Sequence, residues 1–380
     1  MPIYLDNNAT TALDPEFLPA IMENLNQDPI NPSSFHALGQ KGKMLISETK
    51  QVIANYLFVK PHEITFTSGG TESLNSLIMG VIKSQTFDCI LTTKIEHACV
   101  YETVLELQRL NYPVVFLDVK AGIDLMIDQI NTYSKGKKCC LILSSVNSET
   151  GSMIPLKEIA DLAQKNQITF LVDGVAQLGK CPIKIYPGIS GLGFSSHKIH
   201  ALKGTGFFYL KDGVKFQKLL FGGPQERNKR PGTENTLAIL SLKLAIEKIQ
   251  KNESAIIEHL ESLKSTFIKT LKTLGCEFSI NGLFPHVSNT VNCRFHGVDG
   301  ETLLIALDQK GVYCSMGAAC ASGALEPSRV LIEMGYEKAH AKESIRFSFS
   351  RFNTLLEVEI AAKVILQTVS DLKNLFVKKR

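Results

Sequence analysis

The sequence predicts an α/β protein: a large unit with a mostly parallel seven-stranded sheet covered by helices, joined to a smaller α+β unit. Three observations carry this reading. From about residue 60 to 250, short apolar runs rich in Ile, Val, Leu and Phe alternate with stretches of helical spacing, the pattern of a sheet covered on both faces. Beyond about residue 253 the pattern changes to one long charged helical stretch, an alternating strand and a closing amphipathic helix. At 380 residues the chain also exceeds the size at which a single core keeps growing. The implied division is 15–252 for the large unit, with 1–14 and 253–380 forming the small one.

The strands of the large unit are expected, in order, at "EITFT", "DCILTT", "PVVFLDV", "CCLILSS", "ITFLVD", "GLGFSS" and "TGFFYLK". Helical segments such as "TESLNSLIMGVIKS" and "LKEIADLAQKN" lie between them. In such sheets ligands gather at the carboxyl ends of the strands, so the residues just after each run matter most. In the small unit, "ESAIIEHLESLKSTFIKTLKTLG" reads as a helix, followed by "SNTVNCRF" and a helix-like "GETLLIALDQKG". The alternation in "SIRFSFS" implies an antiparallel sheet with one solvated face, and "LLEVEIAAKVILQTVSDLKNLF" closes the chain as an amphipathic helix.

Composition excludes several classes. The formal charge of +4 is small for this length, and the basic residues are dispersed apart from the terminal "KKR", which argues against a direct nucleic-acid partner. No apolar stretch approaches a membrane span, and "MPIYLDNNATT" lacks the features of a signal peptide, so a cytoplasmic protein with no membrane partner is expected. Nine cysteines, an odd number without any C-x-x-C pair, imply reduced thiols and no metal site.

The chemistry concentrates at strand ends. "ITFTSGGTESLN" places Ser68, Gly69, Gly70 and Thr71 between a strand and a helix, where free amides and the helix dipole favour an anion. Asp173 ends the run in "LVDGVAQLGK"; it reads either as a helix cap or as the partner of a protonated ring nitrogen. Lys198 follows another strand in "FSSHK", beside Ser195 and His197. An anion cradle, a strand-end Asp and a strand-end Lys in this order are what pyridoxal phosphate requires, so "SSHK" is polar because it lines a cofactor site. His97 in "TTKIEHACV" could stack on a flat ring or shuttle a proton, and is otherwise a structural histidine. In "CSMGAACASGALEPSRVL", Cys320 sits among small residues with few apolar neighbours, the setting of an accessible attacking thiolate; Cys314 precedes it.

These residues, with "YLDNNATT", "NPSSFH", "VNSETG", "KGTGFFYL", "QERNKRPGTENT" and "IRFSFSRFNT", make the chain resemble, nearly end to end, the pyridoxal-phosphate-dependent cysteine desulfurases of the NifS/IscS type. These are class V aminotransferases of fold type I. The resemblance implies that Lys198 bonds the cofactor's aldehyde, Asp173 holds its ring nitrogen, and Gly70, Thr71, Ser195 and His197 bind its phosphate. It implies that His97 stacks on the ring and that Thr233 reaches into the neighbouring subunit of a homodimer. Arg346, otherwise a strand-edge ion pair, would clamp the carboxylate of L-cysteine, a task suited to a guanidinium. Cys320 would take the substrate's sulfur as a persulfide, leaving alanine, and pass it to an acceptor such as an iron–sulfur scaffold protein.

The chain departs from that pattern twice. Ser148 stands in "VNSETG" where the family usually has Asn, and Ala176 stands where it usually has Gln, with Gln177 one place later. Both family residues are expected to contact the 3′-oxygen of the cofactor ring; here Ser148, Asn147 and Gln177 are the candidates to replace them. The expected consequence is slower chemistry with the cofactor retained. The other readings are a selenocysteine lyase or another class V lyase or aminotransferase, and a weakly active homologue serving as a binding platform for sulfur transfer. A dinucleotide-binding oxidoreductase is disfavoured, because no G-x-G-x-x-G opens a helix after the first strand.

Overall fold

The computed structural model describes residues 2–25, 29–283, 285–317 and 327–377. In chain order the first elements are β1 (Ile3–Tyr4), α1 (Leu18–Leu25), α2 (Ala37–Leu57), β2 (Ile64–Thr67), α3 (Gly70–Lys83), β3 (Cys89–Thr93) and α4 (Ala98–Arg109). Then come β4 (Val114–Leu117), α5 (Ile123–Ser134), β5 (Cys139–Ser144), α6 (Leu156–Lys165), β6 (Thr169–Asp173), β7 (Ile189–Ser195) and β8 (Gly206–Leu210). The long α7 (Thr236–Thr273) leads to β9 (Phe278–Ile280), β10 (Thr290–Phe295), α8 (Gly300–Gln309) and β11 (Val312–Tyr313). The chain closes with α9 (Arg329–Glu333), α10 (Lys338–Lys342), β12 (Ser344–Ser348) and α11 (Leu355–Val377).

The main sheet has seven strands in the order β2-β8-β7-β6-β5-β3-β4. Only β8 runs against its neighbours, so the sheet is mostly parallel, as the alternation of apolar runs and helices requires. The central strands β3, β5 and β8 are buried at nearly every position, consistent with helices on both faces. Two glycines in β7 set the position of α3. A Cβ on Gly191 would lie 2.7 Å from Leu77 and one on Gly193 2.7 Å from Leu74, so only glycine lets α3 pack this closely. Its N-terminus is thereby aimed at the carboxyl end of β7.

A second apolar core is built on the antiparallel sheet β12-β10-β9, with β1 paired to β11 beside it. The helix α7 serves both cores. Ile239, Leu242, Ile246 and Ile249 pack on the main sheet, whereas Ile256, Leu260, Leu263 and Phe267 pack on the second. Between the two sets Asn252 leaves helical geometry (φ −127°, ψ 17°).

Two expectations are corrected here. The polar face of "SIRFS" is not solvated: Ser344, Arg346 and Ser348 are all buried, because Asn281, Asp6 and Asn8 cover that face with hydrogen bonds. Nor are all thiols reduced, since Cys89 and Cys139 form a disulfide with Cα atoms 5.0 Å apart. The two residues are register partners on the adjacent parallel strands β3 and β5, a juxtaposition that their separation of 50 residues hides. No helix among the described residues is long and apolar enough to cross a membrane, and no group of three His, Cys, Asp or Glu is placed to hold a metal.

Candidate active site

The carboxyl ends of β6 and β7, which are hydrogen-bonded neighbours, bring Asp173 and Lys198 to one side of the sheet. Asp173 is buried, and its Oδ1 accepts the backbone N–H of Val175 at 2.9 Å. Burial raises its pKa to about 6, offset by that hydrogen bond and by the charges of Lys198 and Lys180. Lys198 follows β7 in a short 3-10 turn, and its Nζ donates to the carbonyls of Asn8 and, at 2.7 Å, Ala9.

The N-terminal segment therefore forms a strap across the site. Thr11 donates its backbone N–H (3.0 Å) and Oγ1 (2.9 Å) to the carbonyl of His197. Asn7 and Asn8 bond to Ser348 on β12, so the strap joins the two cores at the reacting groups. His197 places Nδ1 3.1 Å from Thr10 Oγ1, and its pKa is lowered to about 4 by burial and by Lys198, Lys180 and Lys203.

Beside Lys198, the first N–H groups of α3, from Gly70 and Thr71, have no acceptor within their own helix. A Cβ on Gly70 would come within 3.0 Å of Ser195 Cβ, so the glycine keeps this corner open. Ser195 Oγ is buried there without a hydrogen-bond partner among the described residues. An orphaned hydroxyl beside open helix-terminal amides is a site built for an anion.

His97 caps α4 at the mouth of the cleft, its Nδ1 accepting the backbone N–H of Cys99 at 3.2 Å. The neutral ring therefore carries its proton on Nε2. Desolvation in the cleft, then the cations Lys198, Arg329 and Arg346, lower its pKa to about 4. Arg346 reaches the site from β12, buried, with Nη2 bonded to Asp6 at 2.6 Å and Nη1 to the Ser148 carbonyl at 3.2 Å; its Nε has no partner among the described residues.

Other predicted residues are engaged elsewhere. Asn147 donates to the Ile95 carbonyl (2.9 Å) and accepts from Glu149 and Thr150, so its amide organises its own loop. Gln177 donates one amide N–H to the Pro182 carbonyl at 2.9 Å, and its Oε1 is buried without a partner among the described residues. Thr233 lines a separate hollow with Thr67, Ser68, Gly204 and Thr205. Cys320 lies outside the described residues, but both flanks of its segment meet the site: Ser315 pairs with Arg346, and Arg329 donates to the carbonyls of Lys94 and, at 2.8 Å, Glu96. Burial, then Asp6, pushes the Cys314 thiol well above its usual range, which makes it a poor source of thiolate.

Sequence reasoning missed Asp6, Glu96 and Lys180. Glu96 is buried on Thr93 Oγ1 (2.6 Å) and the Ser144 N–H (2.7 Å), and burial raises its pKa to about 7. Asp6 had a usable signal, its place in the polar run "DNN" after an apolar strand; the other two had none outside the fold.

Residues 3–360 match the aminotransferase class-V family. The chain belongs to that family. A cysteine desulfurase of Trichormus azollae is 37% identical over 377 residues, covering 98% of this chain and 94% of the relative. A putative cysteine desulfurase of Bacillus subtilis strain 168 is 36% identical, with 97% and 99% covered. A solved NifS-like protein superposes with a TM-score of 0.88 at 29% identity, covering 98% of this chain and all (100%) of that one. A NifS-like protein of Rickettsia africae ESF-5 gives a TM-score of 0.84 at 28% identity, with 97% and 100% covered.

Proposed function

We propose that this member of the family is a pyridoxal-phosphate-dependent cysteine desulfurase, converting L-cysteine to L-alanine and passing the sulfur through Cys320 to an acceptor thiol. One observation carries the cofactor assignment. A buried, unpaired Ser195 hydroxyl at the open N-terminus of α3 adjoins a strand-end lysine and a buried carboxyl that no cation bonds among the described residues. The residues fit the group: Ser195, Gly70, Thr71 and His197 would hold its phosphate, Asp173 its ring nitrogen, and Lys198 its aldehyde carbon, with His97 over the ring. When bound, pyridoxal phosphate supplies the electron sink that makes the substrate's Cα proton acidic.

The chain's own groups do the rest. Arg346 binds the substrate carboxylate, its guanidinium held in place by Asp6 at Nη2 and the Ser148 carbonyl at Nη1. Lys198 Nζ, within the strap, moves the Cα proton. The Cys320 thiolate attacks the substrate sulfur, forming an S–S bond as the C–S bond breaks. The electron pair of that bond stays on carbon, which takes up protons to become alanine.

Two further features belong to the same proposal. The separate cores support dividing the chain at 253, with 1–14 joining the second part. The exposed Phe35, Phe58 and Phe221 support a homodimer, in which Thr233 would complete the site across the interface. Such a protein would supply an iron–sulfur scaffold or a thiolation acceptor.

The test is the visible spectrum of the purified protein before and after L-cysteine, with alanine and sulfide quantified. The wild type should be yellow and produce alanine; Lys198→Ala should lose covalent cofactor and turnover, and Cys320→Ser should lose persulfide transfer. Alanine production unaffected by Cys320→Ser would sink the desulfurase assignment, and a protein that takes up no cofactor would sink the whole reading.

A further inference from the structure

The proposed reaction needs the His97 ring in one direction, over the cofactor, yet the hydrogen bonds of that side chain are local. Its Nδ1 meets the backbone N–H of Cys99 at 3.2 Å and the Cys99 thiol at 3.0 Å, two residues further on. The direction of the ring is therefore set by the backbone turn between β3 and α4. Three successive carbonyls of that turn are taken by side chains from distant segments. Asn147 donates to Ile95 at 2.9 Å, while Arg329 donates to Lys94 through Nη1 and to Glu96 through Nη2, the latter at 2.8 Å.

Arg329 grips the turn on both sides of His97. The Glu96 carbonyl belongs to the planar peptide unit that joins Glu96 to His97, so its bond to Nη2 fixes the plane from which His97 departs. One turn into α4, the guanidinium lies over the Tyr101 ring, 3.9 Å from its centroid. The Tyr101 N–H in turn bonds the His97 carbonyl at 3.0 Å. Two bonds and a stack at once suit a planar guanidinium and are beyond a lysine. The Glu96 carboxylate anchors the same turn to the main sheet, on Thr93 Oγ1 and the Ser144 N–H, whereas Arg329 comes from α9, 233 residues away. From α9 the chain runs through α10 into β12, the strand of Arg346.

We propose that Arg329 is a positioning residue: by bridging the Lys94 and Glu96 carbonyls and stacking on Tyr101, it fixes the direction of the His97 ring and ties that ring to the stretch of chain that carries Arg346. The ring that would cover the cofactor and the guanidinium that would take the substrate carboxylate are thereby held in register. The consequence for turnover rests on the pyridoxal phosphate reading; the grip itself does not.

The experiment reads the turn directly. Hydrogen exchange in the full-length, cofactor-free protein is followed by mass spectrometry, with fragmentation that resolves the Cys99, Val100 and Tyr101 amides, all of which bond to His97. Arg329→Met loses the bridge at similar length and should speed exchange at these amides about tenfold, with β10 and β12 unchanged. Arg329→Lys keeps the charge without the fork and should speed it nearly as much. Glu333→Gln, which removes the ion pair of α9 with Lys94 (3.6 Å) and leaves Arg329 in place, should match wild type. Unchanged exchange in Arg329→Met overturns the proposal. So does wild-type exchange in Arg329→Lys, which makes charge rather than bridging the cause and decides the matter if the methionine variant does not fold. An equal rise in Glu333→Gln, or faster exchange spread over β10 and β12, overturns it by tracing the effect to helix docking or to general stability. In the cofactor-loaded proteins, Arg329→Met should weaken the visible circular dichroism of the cofactor band and lower kcat about tenfold. A loosened turn that leaves both unchanged also refutes the role assigned to Arg329. A chain that takes up no pyridoxal phosphate refutes the functional reading, while the exchange data still judge the grip.

Discussion

Replacing Asp173 by Asn separates what the carboxylate does for the fold from what it does for the cofactor. In the cofactor-free protein, burial raises its pKa from 3.8 to about 6. A carboxyl whose pKa is higher folded than unfolded keeps its proton longer in the folded state, so stability falls as pH rises through that interval and then levels off. The full effect is roughly 3 kcal/mol at about pH 8 and about half that at pH 5. Asp173→Asn removes the ionisation while conserving the side-chain oxygen that accepts the Val175 N–H. The cofactor-free variant should therefore be more stable than wild type by up to these amounts, as read from urea unfolding at the two pH values. The same variant, loaded with cofactor, should lose at least about a hundredfold in turnover, because an amide cannot hold the ring nitrogen protonated. A stability difference that is absent, or that does not grow with pH, would refute the assignment of Asp173 as a buried charge awaiting a cationic partner.

Arg346→Lys should raise the KM for L-cysteine about tenfold or more with a smaller change in kcat, since one ammonium cannot serve both Asp6 and a substrate carboxylate; steady-state kinetics checks this. With its pKa lowered to about 4, His97 should be neutral throughout the working range, so His97→Gln should change the height of the pH–rate profile but not its shape between about pH 6 and 9. A lost inflection there would contradict a neutral His97. Ser148→Asn combined with Ala176→Gln should raise kcat about tenfold, because the amides of Asn147 and Gln177 are held by the Ile95 and Pro182 carbonyls and are oriented by their own loops. Unchanged turnover would show that Ser148 suffices.

Much of the candidate site was legible because strand-end chemistry is local. Gly70, Asp173, Ser195 and Lys198 each sit where an apolar run stops, and a parallel sheet must deliver all such ends to one edge. The seven strands were legible as short apolar runs, most of them flanked by helical stretches. Contacts made across long separations were not. The buried polar face of β12 looked solvated because alternation reports only that two faces differ, not that the N-terminal strap would cover the polar one. Arg346 and Asp6 are 340 residues apart, and the strap carbonyls that accept from Lys198 belong to backbone that carries no sequence signal. Asn147 and Gln177 looked free to serve the cofactor because an amide's partners are set by the surrounding loop, not by its identity.

By itself, the sequence determined which residues could react and in what order they meet the sheet, because periodicity and residue chemistry are local properties of the chain. Only the tertiary structure decided the charge state of those residues. It paired Cys89 with Cys139, and it brought Asp6 onto Arg346 from the far end of the chain, because burial and distance between remote segments govern protonation and bonding.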